Sequence, residues 1–395
     1  MPQPEGRSGL NILLLSDVYF PRINGVSTSI QTLRRELLAA GHEVTLVVPD
    51  YGTDIAEAGV VRVRGRSLSF DPEDRLMDWR GLNQTLKALP GHYDVVHVHT
   101  PFLAHFAGLR HARRHAVPLV ETYHTLFTEY FYHYLPILPR AWLRALARAI
   151  SRRQCNRVDA VIAPSGPMRQ ALLDYGVKTR IEVIPTGLLP ESFIQGNGAG
   201  FRHAHGIPPE RPMLLFVGRV AFEKNIGFLL TMLTTLHHTH PDACLVIAGE
   251  GPAERELHRE VRRLGLTGHV RFVGYLDRQR ELPDCYRAAD VFVFASRTET
   301  QGLVLLEAMA QGTPVVALAE MGTRDVLVEG EGCRIAPDDP TAFARIIGEL
   351  LDDAEAHRRL SEAAVIYAQA WRSERMAERV AALYTDLARA GNRSV

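Results

Sequence analysis

Short runs of apolar residues recur along the chain, each followed by a longer stretch whose apolar positions repeat at helical spacing. Before residue 190 the runs are "NILLLS", "EVTLVVP", "DVVHVH", "PLVETY", "DAVIAPS" and "IEVIPTG", separated by patterns such as "VSTSIQTLRRELLAAG". Continuous Val/Ile/Leu runs joined by helices predict a parallel sheet covered on both faces. The pattern pauses at "LLPESFIQGNGAGFRHAHGIPPERP", whose Gly and Pro suit a linker, and then restarts with "MLLFVGR", "ACLVIAGEG", "VRFVGYL", "DVFVFAS", "PVVALAE" and "GCRIAP". The expected fold class is therefore α/β, with two doubly wound, Rossmann-like domains, 1–190 and 191–371. In such domains ligands bind at the C-terminal ends of the strands, so the site is expected between the two, across a cleft. The last stretch, 372–395, contains "SERMAERVAALYTDLARAG", an amphipathic helix with no obvious partner. Packing back on the first domain is one option for it.

Composition adds exclusions. At 395 residues the chain exceeds the size of a single core. Lys plus Arg and Asp plus Glu are both 45, so the overall balance does not point to nucleic acid. Residues 1–190 hold 22 Lys/Arg against 17 Asp/Glu and the remainder 23 against 28, a polarity of about +5 to about −5 that orients the molecule toward an anionic surface. Cys155, Cys244, Cys285 and Cys333 form no C-x-x-C pair, which argues against a zinc site and a disulfide scaffold and fits a reducing cytosol. The opening "MPQPEGRSGLNILLLS" has too short an apolar run for a signal peptide and reads as a tail and first strand. No segment approaches the roughly 20 apolar residues of a membrane span.

The stretch "TETQGLVLLEAMAQGTP" places Glu307 inside a helix that is apolar nearly all round, Leu303 to Ala310. A buried carboxylate there needs a partner. Gly302 marks the helix N-terminus, where free N–H groups and the dipole suit a phosphate. Glu299 before it and Glu307, about 7–8 Å along the axis past Gly302, are placed to accept from hydroxyls flanking that phosphate. Hydroxyls on both sides of a phosphate group describe a nucleotide sugar. The alternative is that Glu307 pairs with a buried Arg and Glu299 is a solvated loop charge. In "FVGRVAFEKN", Arg219 and Lys224 follow the first strand of the second half and can neutralise a diphosphate. No D-x-D occurs, so cationic side chains and a helix N-terminus are the expected stabilisers of a departing diphosphate, with no metal site and no cofactor.

These residues resemble the retaining glycosyltransferases of family 4, which have the two-domain GT-B fold; the resemblance implies that 1–190 is the acceptor side and 191–371 the nucleotide-sugar donor side. The match spans essentially the whole chain; its most specific part is "ETQGLVLLE", the E-x7-E element, supported by "GRVAFEKN", "AGEGP", "FVGYL", "EAMAQGTPVVA" and "IPTG". The resemblance implies that Arg219 and Lys224, next to Gly218, hold the diphosphate, that Glu299 faces the donor sugar, and that Glu307 takes the ribose hydroxyls. Gly302, Leu303 and Val304 would supply backbone donors, and Tyr275 and Leu276 in "GYL" would lie against the base. Asn24 and Gly25 in "PRINGVSTS" match the family's glycine loop, although Asn-Gly alone is also an ordinary turn. His124 in "ETYHTLF" matches the active-site histidine. His97, His99 and His105 are read as strand-end and loop residues. The common motif has Ser-Phe-Gly after its first Glu; here it is Thr300-Gln301-Gly302, closer to the subset that transfers sugar to diacylglycerol.

After His124 comes an aromatic and basic stretch with Tyr130, Phe131 and Trp142 ahead of or among Arg140, Arg144, Arg148 and Arg152 at i, i+4 spacing. From Pro136 to Arg157 there are six arginines and no acid, and Trp142, Leu143, Leu146 and Ile150 can form an opposing apolar face. Such a helix can lie in a membrane interface; the bland alternative packs it on the core with a solvated basic face. The expected protein is a cytoplasmic, peripherally membrane-associated hexosyltransferase. Its expected partners are a nucleotide sugar (UDP-glucose or a related UDP-hexose), a diacylglycerol-type lipid and an anionic membrane surface. The competing readings are a GDP-mannose-dependent mannosyltransferase, a nucleotide-sugar epimerase and a non-catalytic nucleotide-sugar-binding protein.

Overall fold

The computed structural model describes residues 9–22, 24–52, 56–68, 71–124, 140–278 and 280–391. The chain forms two units, Met1–Gly187 with Ser373–Val395, and Leu188–Arg372. The first contains β1 (Asn11–Leu15), β2 (Glu43–Pro49), β3 (Val60–Val63), β4 (Gly65–Leu68), β5 (Asp71–Met77), β6 (Val95–Val98), β7 (Leu119–Thr122), β8 (Ala160–Ala163) and β9 (Arg180–Val183). The second contains β10 (Met213–Val217), β11 (Cys244–Ala248), β12 (Val270–Gly274), β13 (Val291–Phe294), β14 (Val315–Ala317) and β15 (Cys333–Ile335).

All twelve apolar runs become strands of two parallel sheets, ordered β3-β2-β1-β6-β7-β8-β9 and β12-β11-β10-β13-β14-β15. The expectation of two doubly wound units holds. Three strands had no such signal. In β3 the run "VVRV" is interrupted by Arg62, whose guanidinium donates to the Phe20 carbonyl at 3.1 Å, and β4 and β5 form a separate antiparallel hairpin in a polar stretch.

Strand parity divides the first core. Leu13 and Leu15 face one cluster with Val47, Val96 and Val98, whereas Ile12 and Leu14 face a second with Leu46, Val48 and Val95. Both faces are therefore dry, which is why the runs are continuous rather than alternating. The final helix, Ser373–Gly391, covers the second face: Val380, Leu383 and Tyr384 are buried there, Ser373 Oγ donates to Glu36 Oε1 at 2.9 Å, and Arg379 donates to the Val183 carbonyl at 2.6 Å. The end of the chain thus completes the unit that its beginning starts.

Candidate active site

In the second unit, the loops after β10, β11 and β12 are laced together at the strand C-termini. Gly218 N–H donates to the Ala248 carbonyl, Val220 N–H to the Glu250 carbonyl and Gly249 N–H to the Gly274 carbonyl, at 3.0, 2.9 and 2.7 Å. A Cβ on Gly249 would lie 2.0 Å from the Gly218 carbonyl oxygen, so this close approach requires glycine. The lacing leaves Arg219 exposed, with no ion-pair partner among the described residues, and presents Tyr275, 52 % exposed, above a buried Leu276.

Lys224 ends the short turn Phe222–Lys224, and its ammonium is paired with the Glu299 carboxylate; both side chains are largely buried. The cation and the anion neutralise each other. Three residues past Glu299, Gly302 adopts φ 92°, a conformation that disfavours any side chain, and starts the helix Leu303–Ala310. Gly302 has no side chain to cap this N-terminus, so among the described residues Leu303 and Val304 open the helix without a side-chain cap.

Glu307 is only 6 % exposed. Its Oε2 accepts from the Tyr286 hydroxyl at 2.8 Å, and its Oε1 is paired with the Arg278 guanidinium. Burial and the neighbouring carboxylate push the Tyr286 phenol well above its usual range, while the Glu307 charge holds Arg278 more firmly protonated. Tyr286 is buried behind the carboxylate and Arg278, 43 % exposed at its side chain, comes from the solvent side. The alternative reading paired Glu307 with a buried Arg; its partners in the protein are an exposed Arg together with a buried Tyr. Neither carried a sequence signal beyond "DRQRE" following the loop at Tyr275.

In the first unit, the Asn24 side chain caps the helix Gly25–Ala39, its Oδ1 accepting from Ser27 N–H at 2.9 Å. Asn24 therefore has a structural task of its own. Gly25 does not: a Cβ built on it meets nothing within 4 Å. His124 lies two residues beyond β7, its Nε2 3.2 Å from Nδ1 of His99. Burial lowers its pKa to about 4, so the ring is neutral at pH 7. His124, His99, Thr122, Thr186 and Ser29 line part of a cavity of ≈ 40 Å³, otherwise walled mainly by Leu33, Ile162, Ile184, Met376 and Val380. His99, at the end of β6 as expected, is thus also part of the His124 surroundings. Nearby, Asp17 follows β1 and accepts from Thr100 Oγ1 at 2.7 Å and Ala104 N–H at 3.2 Å; burial raises its pKa to about 6.

The helix Arg140–Cys155 buries Leu143 and Ala147 but leaves Trp142 75 % and Leu146 46 % exposed. The expected single apolar face is therefore split between the core and the surface. At about 100° per residue, Trp142 and Leu146 flank one side of the buried stripe of Leu143, Ala147 and Ser151, and the exposed Arg148 and Arg152 flank the other. Arg148 stands over the Tyr175 ring at 5.3 Å, and Arg152 lines an open cavity of ≈ 630 Å³ with Asn156, Gly176, Lys178 and Thr179. Tyr130 and Phe131 lie outside the described residues, as do the side chains of Arg140 and Arg144. Among the described residues no helix is long and apolar enough to cross a membrane.

Comparison with known proteins places these clusters in a family. Residues 23–191 match the model of Glycosyltransferase Family 4 and residues 200–365 that of Glycosyl transferases group 1. The chain is 35 % identical over 318 residues to an alpha-monoglucosyldiacylglycerol synthase of Streptococcus pneumoniae, covering 78 % of this chain and 71 % of that one. It is 26 % identical over 400 residues to the protein of the same name in Acholeplasma laidlawii, covering 98 % and 99 %. A sucrose-phosphate synthase from Thermosynechococcus elongatus has the same fold, with TM-score 0.77 at 24 % identity over 96 % of this chain and 100 % of that one. With its E-x7-E carboxylates, its Arg219 and Lys224 cations and its two parallel-sheet units, the chain belongs to the family-4 glycosyltransferases of the GT-B fold.

Proposed function

We propose that the enzyme transfers a hexose, with retention at the anomeric carbon, from UDP-glucose or a related UDP-hexose to a diacylglycerol-type lipid. The observation that carries the donor reading is the charge cluster of the second unit: Lys224 with Glu299, Arg219 without a counter-ion among the described residues, and Glu307 beneath Arg278. A diphosphate beside this cluster draws Lys224 away from Glu299. The freed carboxylate then accepts from sugar hydroxyls, while Arg219 and Lys224 stabilise the charge that grows on the leaving diphosphate. Ribose hydroxyls reach Glu307 from the side that Arg278 occupies. In the retaining mechanism of this family the departing diphosphate takes the acceptor hydroxyl's proton on the same face of the sugar, so the protein contributes positioning and charge stabilisation.

Support for the lipid acceptor comes from the two relatives named for alpha-monoglucosyldiacylglycerol, from "TETQG", and from the exposed Trp142 and Leu146 beside a basic helix flank. This acceptor places the enzyme at the inner face of the cytoplasmic membrane, held peripherally. Incubating the purified chain with radiolabelled UDP-glucose or GDP-mannose, with and without diacylglycerol vesicles, tests the reading. Label from UDP-glucose should enter the lipid phase. Label from GDP-mannose alone would make the enzyme a mannosyltransferase, and donor binding without release of sugar in any mixture would leave a binding protein.

A further inference from the structure

β6 and β7 are neighbouring parallel strands, with His97 opposite Val120 and Val98 opposite Glu121, so their C-terminal ends bring three histidines together. His97 is anchored at both ring nitrogens: Nδ1 lies 2.5 Å from the Tyr384 hydroxyl and Nε2 2.7 Å from Thr122 Oγ1. His99 packs over it with centroids 4.0 Å apart and 35° between planes. On its other side His99 is nearly parallel to His124, 5.5 Å away at 23°, with the 3.2 Å contact from Nδ1 to Nε2. Burial lowers all three below the usual imidazole range, His97 to about 3 and His124 to about 4, so the column is neutral at pH 7.

In a neutral imidazole one nitrogen donates and the other accepts. The contact between His99 and His124 therefore ties the tautomer of one ring to that of the other. Nε2 of His99 is buried and has no hydrogen-bond partner among the described residues, beside a cavity walled mostly by apolar side chains. A buried N–H without an acceptor is the rarer orphan. This puts the His99 proton on Nδ1, donating to His124 Nε2, and leaves the His124 proton on Nδ1.

We propose that His99 is a positioning residue for His124: it occupies the Nε2 lone pair, fixes the plane of the ring and selects the Nδ1–H tautomer, which is the minor form of free imidazole in water. His124 then serves as a hydrogen-bond donor through Nδ1, and its Nε2 is withdrawn as a base. Tyr384 anchors the column through His97, so the last helix of the chain is coupled to the same ring. The proposal rests on the reading of His124 as an active-site residue.

Two-bond proton–nitrogen spectra of the full chain labelled with ¹⁵N-histidine report the tautomer directly, with the His124 signals assigned by their loss in His124→Gln. Wild type should show the Nδ1–H pattern at His124. His99→Phe keeps a stacked ring without nitrogens; it should shift His124 toward the Nε2–H pattern and lower kcat about ten-fold, the worth of one lost hydrogen bond, with little change in donor KM. His99→Gln, which retains an amide donor, should recover part of that turnover. Tyr384→Phe should give a smaller fall in kcat. An Nε2–H pattern in wild type, or wild-type turnover in His99→Phe, overturns the proposal, and the first measurement needs no variant at His99 to fold. Full activity in His124→Gln would instead sink the reading of His124 itself, while the spectra still decide whether His99 sets its tautomer.

Discussion

The Tyr286 hydroxyl donates to Glu307 Oε2 at 2.8 Å from the buried side of the carboxylate, and Arg278 closes the solvent side. Removing the inner donor leaves a buried oxygen unsatisfied, so Tyr286→Phe should lower stability by about 1–3 kcal/mol in urea unfolding. Removing the outer one does something different. Arg278→Ala should tighten nucleoside-diphosphate binding several-fold by calorimetry, because a ribose no longer competes with the guanidinium. Glu307→Gln should weaken it, and Glu299→Gln should reduce turnover with a smaller loss of diphosphate affinity. Weaker binding in Arg278→Ala would mean that the arginine stays and helps hold the nucleoside.

Arg219 and Lys224 should both matter for the diphosphate, yet differ in stability. Each Ala variant should lose a charge-assisted contact of roughly 1.5–3 kcal/mol in binding. Lys224→Ala also strands the largely buried Glu299, whereas Arg219 has no ion-pair partner among the described residues to strand. Only the lysine variant should therefore show a lower unfolding midpoint. Because these cations perform the charge stabilisation, transfer should survive EDTA. Activity abolished by chelation and restored by Mg²⁺ would refute that assignment.

Gly25 opens its helix with empty space where a Cβ would stand. Gly25→Ala should leave the fold intact and even add roughly 0.4–1 kcal/mol by restricting the unfolded chain. If the empty space is where donor phosphate and acceptor approach, the same methyl should cut turnover sharply. Unchanged kinetics would return the Asn24–Gly25 pair to an ordinary helix start.

The pH profile of stability has two opposed contributions in the first unit. Asp17, raised from 3.8 to about 6 by burial, contributes stability that is complete below its unfolded pKa and lost as pH rises through about 6. His97 and His124, lowered from 6.5 to about 3 and about 4, contribute stability that is complete above 6.5 and lost as pH falls toward those values. Asp17→Asn should raise stability at pH 7, by at most about 3 kcal/mol at roughly 1.36 kcal/mol per pKa unit. It should also make the loss between pH 6.5 and 4 steeper, as chemical unfolding at each pH will show.

The basic helix can be tested apart from catalysis. Changing Arg140, Arg144, Arg148 and Arg152 together to Gln should release the enzyme from anionic vesicles and slow transfer to vesicle lipid, while hydrolysis of the donor to water continues. Trp142→Ala with Leu146→Ala should act in the same direction at little cost in folding, since both side chains are already exposed. High salt should mimic the arginine variant, the Debye length shrinking from about 8 Å at physiological ionic strength to about 3 Å at 1 M. Equal sedimentation of wild type and the four-arginine variant at low salt would leave a core-packed helix with a solvated basic flank.

What the sequence determined by itself is whatever depends on neighbours along the chain. Continuous runs such as "NILLL" and "CLVIA" have only one economical use, strands dry on both faces, and helical spacing between them forces parallel crossovers. The need of Glu307 for a partner was legible for the same reason, since no face of its helix is polar. Which group answers that need was not legible. Arg278 and Tyr286 stand 29 and 21 residues away, and Tyr384 meets His97 across 287. Periodicity reports which side of an element is buried but carries no information about the side chain that another element brings there. The Trp142 helix shows the same limit: its spacing marked an apolar stripe, and only the packing of Leu143 and Ala147 decided which part of that stripe the core would take and which part it would leave exposed.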